Sequence, residues 1–188
     1  FVWHTTGSGK TLTSFMAAKI ISTSKDADKV VFLVDRTELD TQSVKHYKGF
    51  AEDENSINDA TSTYNLISKL KSDDAGQSLI VASIQKMYRI YDDGTYRKGH
   101  DIEKINKKRI VFIVDECHRD TFGEMMSIIK ETFPYAMFFG FSGTPIQEEN
   151  KKKGCTSADV FGDELPGTRY TIGDGIRDNN VLGFDPYM

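Results

Sequence analysis

The stretch His4-Thr5-Thr6-Gly7-Ser8-Gly9-Lys10-Thr11 decides how the rest of the sequence is read. Its glycines allow successive backbone N–H groups to converge on an anion. The helical periodicity that follows places a positive helix end behind them, and Lys10 adds a full charge for the outer phosphates. Thr11 offers a hydroxyl to Mg²⁺. Phosphate-binding Walker A loops have this pattern, GxxxxGK[ST], with one departure: His4 stands where the first glycine is expected. Thr6, Gly7, Ser8, Gly9, Lys10 and Thr11 are therefore the candidate nucleotide-binding residues. The competing reading is a glycine-rich turn with an exposed lysine. It suits a strand-to-helix junction less well, because the loop is preceded by Phe1-Val2-Trp3, which reads as the last part of a strand.

Beyond this loop, short, nearly continuous apolar runs alternate with segments of helical spacing. The runs are 30–34, 79–82, 110–114 and 137–141, rich in β-branched and aromatic residues, and they suit strands buried on both faces of a parallel sheet. The helical segments carry Leu12, Phe15, Met16, Lys19 and Ile20; Leu66, Ile67 and Leu70; Ile84, Met87, Tyr88 and Tyr91; and Phe122, Met125, Met126, Ile129 and Phe133. Such alternation predicts an α/β fold with a doubly wound, mainly parallel sheet. Residues 52–62, 92–108 and 147–157 are polar and read as surface loops. In such sheets ligands gather at the carboxyl ends of the strands, so the residues just after each run are where chemistry is expected.

Asp115-Glu116-Cys117-His118 follows the run at 110–114. Acidic residues at the end of a buried strand are costly without a cation or polar partner. With Mg²⁺ as that partner, Asp115 serves as metal ligand beside Thr11, and Glu116 is placed to orient and deprotonate an attacking water. Alone, Asp-Glu would more often cap a helix; with a Walker A loop upstream it gains a second meaning. Ser142-Gly143-Thr144-Pro145 follows the next run and supplies small hydroxyl groups on a tight turn. Arg36 and Thr37, after the second strand, and Gln85 and Lys86, after the third, are candidate contacts to a phosphate backbone, although charges at helix starts are often only solvated.

The 188 residues carry 24 basic and 28 acidic side chains, for a net charge of −4. A protein that coats nucleic acid by bulk charge is thereby excluded, and any DNA contact must be local. One domain of this length buries about 70% of its unfolded surface without metals or disulfides. Cys117 and Cys155 show neither CxxC spacing nor a Cys/His set that closes a zinc site, which implies a reducing, cytoplasmic setting. No run approaches the ~20 apolar residues of a membrane span, so no membrane partner is expected. Both ends of the sequence read as cut within longer structure. The basic clusters 151–153 and 104–109 are candidates for touching DNA or a partner protein, against the plainer reading of solvated loops.

Taken together, the Walker A loop, Asp35-Arg36, the DECH tetrad and Ser-Gly-Thr-Pro resemble helicase superfamily two in kind and order. His4 before Thr-Thr-Gly-Ser-Gly-Lys-Thr, Val34-Asp35-Arg36 with Leu39, Asp40 and Gln42, Ser83-Ile84-Gln85-Lys86, and 170–176 followed by Val181-Leu182 resemble the motor (R) subunit of type I restriction enzymes. That resemblance implies a RecA-like P-loop NTPase lobe that couples ATP hydrolysis to translocation on double-stranded DNA. Its partners would be the modification (M) and specificity (S) subunits. Residues 1–165 would be the first motor lobe and 166–188 the segment leading to the second. It further implies that Glu116, Asp115 and Lys10 are catalytic, that ATP and Mg²⁺ are the cofactors, and that His118, Ser142, Gly143 and Thr144 couple hydrolysis to movement. The strand ending in Ser-Gly-Thr-Pro would lie between those carrying the Walker A and DECH residues. The nuclease carboxylates and the arginine finger of such a subunit are not found in this stretch. Another superfamily-two repair or RNA helicase, or a nucleotide-dependent binding module without hydrolysis, are the alternative readings; Glu116 weighs against the last.

Overall fold

A computed structural model describes residues 1–5, 7–34, 58–59, 62–92, 100–115, 122–147 and 156–182. Six strands form one sheet: β1 (Val2–Trp3), β2 (Lys29–Val34), β3 (Asn58–Asp59), β4 (Leu79–Ser83), β5 (Ile110–Asp115) and β6 (Met137–Ser142). Their order across the sheet is β1-β6-β5-β2-β4-β3, and every pairing is parallel. The α/β class predicted from the sequence is therefore observed, with β6 between β1 and β5. The described helices are α1 (Lys10–Ser24), α2 (Thr63–Lys71), α3 (Ile84–Asp92), α4 (His100–Ile105), α5 (Phe122–Thr132), α6 (Ser157–Phe161) and α7 (Ile172–Arg177). None of them is long and apolar enough to cross a membrane.

Strands β2, β4 and β5 are buried along their whole length, as continuous β-branched and aromatic runs require when both faces are covered. Alternate residues feed two cores. On one face Phe15 and Ala18 of α1 meet Val30, Phe32, Val81 and Ile113, with Phe15 edge-on to Phe32 at 5.7 Å. On the other, Leu66, Ile67 and Leu70 of α2, Met87 and Ile90 of α3, and Met126, Ile129 and Phe133 on or just beyond α5 pack on Val31, Leu33, Ile80 and Phe112.

Three expectations are corrected. The apolar face assigned to α1 is out of phase: Leu12, Met16 and Ile20 are exposed, while Lys10, Ser14, Phe15 and Ala18 face the sheet. The stretch 92–108, read as loop, contains α4, and 52–62 contains the edge strand β3. Finally, the basic cluster 104–109 is in part internal bracing. Lys108 Nζ donates to the Lys71 and Ser72 carbonyls at the end of α2 and pairs with Asp73 at 2.7 Å, and Arg109 pairs with Asp28 at 2.8 Å. Cations at a helix carboxyl end offset its partial negative charge, and at Lys108 this is the cluster's visible role. The cluster 151–153 lies outside the described residues.

Candidate active site

The carboxyl ends of β1, β6 and β5 lie side by side in the sheet. Gly7 and Gly9 have φ of 84° and 82°, left-handed values that L side chains rarely adopt, so glycine is required at both. Gly9 is the N-cap of the 15-residue helix α1 and has no side chain to cap it, and the positive end of the helix faces the loop. Inside the loop, Ser8 folds back through its hydroxyl onto the Thr5 carbonyl at 2.6 Å.

Lys10, the first residue of α1, points inward rather than to solvent. Its Nζ donates to Asp115 Oδ1 at 2.8 Å, and the Thr11 hydroxyl donates to Asp115 Oδ2 at 2.9 Å. Both charged groups are buried, Lys10 at 4% and Asp115 at 1% exposure, so each depends on the other for charge compensation. The strand-end carboxylate anticipated from the sequence thus meets Lys10 and Thr11, from a segment more than a hundred residues away. These donors also fit Mg²⁺. A carboxylate and a hydroxyl are hard oxygen ligands, and Mg²⁺ in phosphoryl-transfer sites completes its shell with waters and substrate phosphates. Among the described residues no group of three or more His, Cys, Asp or Glu is placed to hold a metal ion.

Ser142, fully buried at the end of β6, accepts from the Thr144 amide through its hydroxyl (3.1 Å) and from the His4 amide through its carbonyl (3.0 Å). The register sets Ser142 opposite Trp3, and its neighbour Phe141 opposite Asp115. Gly143 accepts from the Trp3 indole at 3.2 Å. Sequence reasoning passed over this indole, and over Ser157, which exchanges two hydrogen bonds with Ile146 just past the turn (2.8 and 2.9 Å). Neither residue type announces such a role in sequence. Gln85 and Lys86 lie half-buried in the first turn of α3, where the Ser83 hydroxyl accepts from the Lys86 amide at 3.3 Å. Thr6, Arg36, Thr37, Glu116 and His118 lie outside the described residues.

His4 carries its own chemistry. Burial, and next the nearby charge of Lys10, hold its pKa below the ordinary histidine value; a hydrogen bond with the Thr168 backbone opposes them. Its Nδ1 is buried and has no hydrogen-bond partner among the described residues.

A left-handed glycine loop at a bare helix end, a lysine and a threonine sharing a strand-end carboxylate, and a central strand between them define a RecA-like P-loop NTPase lobe. Residues 1–186 match the SWI2/SNF2 ATPase family, and the chain belongs to it. Among curated proteins it is 44% identical over 185 residues to the type I restriction enzyme SauMSSORF170P endonuclease subunit of Staphylococcus aureus, covering 98% of this chain and 19% of that protein. It is 42% identical over 132 residues to the C-terminal part of the putative type I restriction enzyme MpnIIP of Mycoplasma pneumoniae, again an endonuclease subunit, covering 70% of this chain and 62% of that protein. The putative MjaIXP endonuclease subunit of Methanocaldococcus jannaschii is 32% identical over 184 residues, with coverage of 96% and 16%. The chain is thus homologous to the ATPase part of type I restriction endonuclease subunits and spans about a fifth of the length of the staphylococcal relatives. Two solved structures share the fold at 16% identity. One is a nuclease-deletion mutant of the Type ISP restriction-modification enzyme LlaGI in complex with a DNA substrate mimic (TM-score 0.65, 95% of this chain and 18% of that one). The other is the UvsW helicase from bacteriophage T4 (TM-score 0.56, 88% and 53%).

Proposed function

We propose that this chain is the ATP-binding motor lobe of a type I restriction endonuclease R subunit, which couples ATP hydrolysis to translocation on double-stranded DNA before cleavage. In the assembled enzyme it works with modification and specificity subunits. The observation that carries the reading is the convergence of Lys10 and Thr11 on Asp115 at the mouth of a left-handed glycine loop. In this reading the loop 6–11 holds the phosphates, and Thr11 and Asp115 hold Mg²⁺, which would offset phosphate charge. Glu116 accepts the proton of the attacking water, and Ser142, Gly143, Thr144 and His118 pass the state of the site to neighbouring loops. Arg36, Thr37, Gln85 and Lys86 touch the DNA backbone. Residues 1–165 make up the first motor lobe, and 166–188 lead toward a second. The 44% identity to restriction subunits favours this assignment over a generic superfamily-two helicase.

The test is a pair of variants in the full-length subunit. Lys10→Ala removes charge-assisted hydrogen bonds to phosphate worth roughly 1.5 to 3 kcal/mol and is expected to weaken Mg-ATP binding about ten- to a hundredfold in titration calorimetry. Glu116→Gln keeps the shape of the side chain but not its basicity, so nucleotide is expected to bind while turnover stops. Wild-type affinity in Lys10→Ala would remove the assignment of the loop. Loss of binding in Glu116→Gln would remove that of Glu116.

A further inference from the structure

The segment after α6 returns to the phosphate loop and is laced to it. Leu165 and Tyr170 donate their amides to the carbonyls of Phe1 and Trp3 (both 2.8 Å), and the Thr5 amide donates to the Tyr170 carbonyl (2.9 Å). His4 and Tyr170 form a parallel bridge with their rings 5.9 Å apart, and the Arg169 guanidinium lies 4.7 Å over the Trp3 ring. Residues 165–170 thus act as a further edge strap beside β1. Past it, α7 starts in a capping box made by Thr171 and Asp174, and the chain turns back so that the Val181 amide donates to the Gly175 carbonyl at 3.0 Å. Val181 then sits on the phosphate loop itself: a Cβ placed on Gly7 would lie 3.8 Å from its Cγ2. Gly175 permits this seat, since a Cβ there would come within 2.7 Å of Val181 Cγ2 and 3.4 Å of Thr5 Cγ2.

This lacing accounts for the one departure from the Walker pattern. At the position of the first glycine, His4 bridges Tyr170 of the strap through its backbone and lies with its ring 5.9 Å from the Tyr170 ring. We propose that His4 and Val181 are positioning residues of the phosphate loop, tying it to the strap 165–182 so that nucleotide binding in the loop is felt along the strap. The inference rests on the reading of the loop as a nucleotide site. The physical reason is that Lys10 is held by Asp115 in the present arrangement, so taking up phosphate requires its side chain to leave that carboxylate at the junction where the loop enters α1. Thr5 and Gly7, fixed to Tyr170 and Val181, transmit that change because packed contacts have discrete arrangements rather than continuous give.

The test is hydrogen exchange on the full-length subunit with and without saturating Mg-ADP, with nucleotide binding measured in parallel by calorimetry. Wild type is expected to show exchange at residues 165–182 changed by about fivefold on binding, the lower end for coupled sites. His4→Gly, which restores the Walker glycine, and Val181→Ala, which opens the contact from the other side, are each expected to shrink that response at saturating nucleotide. Nucleotide that binds wild type without altering exchange in the strap would overturn the inference and leave the site reading intact. An undiminished response in both variants would overturn the roles of His4 and Val181. Failure of wild type to bind nucleotide would remove the site reading and the inference with it.

Discussion

Lys10→Met is the perturbation that most directly probes how the site is built. The side chain keeps nearly its length and apolar stem but loses its ammonium, leaving Asp115 buried with the Thr11 hydroxyl still 2.9 Å away. In wild type the Lys10 and Asp115 charges are 2.8 Å apart, with side-chain exposures of 4% and 0%. Removing one partner of so enclosed a pair costs about 3 to 5 kcal/mol, because the remaining charge is uncompensated. For a chain of this size each kcal/mol is worth roughly 2 to 4 °C, so the expected fall in melting temperature is about 6 to 20 °C. The double variant Lys10→Met, Asp115→Asn removes the stranded charge and is expected to regain most of the loss. Urea unfolding of the 188-residue chain, followed by circular dichroism for wild type, both single variants and the double, gives the coupling energy directly. A loss below about 1 kcal/mol in Lys10→Met, or a double variant as unstable as the sum of the singles, would refute the view that the pair carries this junction.

Two further outcomes test the frame around the site. Gly140 on β6 lies under the Phe161 ring, where a Cβ would come within 2.7 Å of a ring carbon, so Gly140→Leu is expected to destabilise by about 1 to 3 kcal/mol, with partial relief from Phe161→Ala. An unchanged urea midpoint for the single variant would show that α6 is not seated there. Lys29 is buried, with its Nζ donating to the Gln77 carbonyl at 2.7 Å, and burial lowers its pKa to about 8. Between pH 8 and its unfolded value the unfolded chain binds more protons at this site than the folded one, so its contribution to stability rises with pH through that window and is least below it. Comparison with Lys29→Met isolates that slope, and identical pH profiles for the two proteins would remove it.

Much of this was legible in the sequence because short, continuous apolar runs bounded by polar stretches suit strands of a parallel sheet, although the aromatic run 137–141 is buried only in its second half. The runs at 110–114 and 137–141 appear as β5 and β6, and Gly7 and Gly9 of the loop take left-handed conformations. The phase of α1 was not legible, for a physical reason. Its orientation is set by Lys10, which must reach Asp115, so the inner face runs through Lys10, Ser14, Ala18 and Ile21 at helical spacing. Small residues at Ser14 and Ala18 let the helix approach the sheet closely, while the bulkier Leu12, Met16 and Ile20 fall outside. A reading that follows apolar bulk therefore finds Phe15 but misplaces Leu12, Met16 and Ile20. The strap was likewise hidden, because its lacing is mostly backbone hydrogen bonding, which leaves no side-chain signature.

The ion pair and the strap bear on one another. Asp115 is too enclosed to stand without a cation, and here Lys10 meets that need from the first turn of α1. A ligand that draws Lys10 away removes the ammonium facing Asp115 and leaves the Thr11 hydroxyl in place, so a phosphate carrying a divalent cation would suit the proposed site better than a phosphate alone. In the proposed coupling, a rearrangement at Lys10 would run back through Gly9 and Gly7. It then meets Val181 and the Thr5–Tyr170 hydrogen bond on one side, and the His4–Ser142 hydrogen bond at the Ser-Gly-Thr-Pro turn on the other. β1 is only two residues long, yet it lies between β6 and the strap, so a displacement of the loop is passed in both directions rather than absorbed at a free edge.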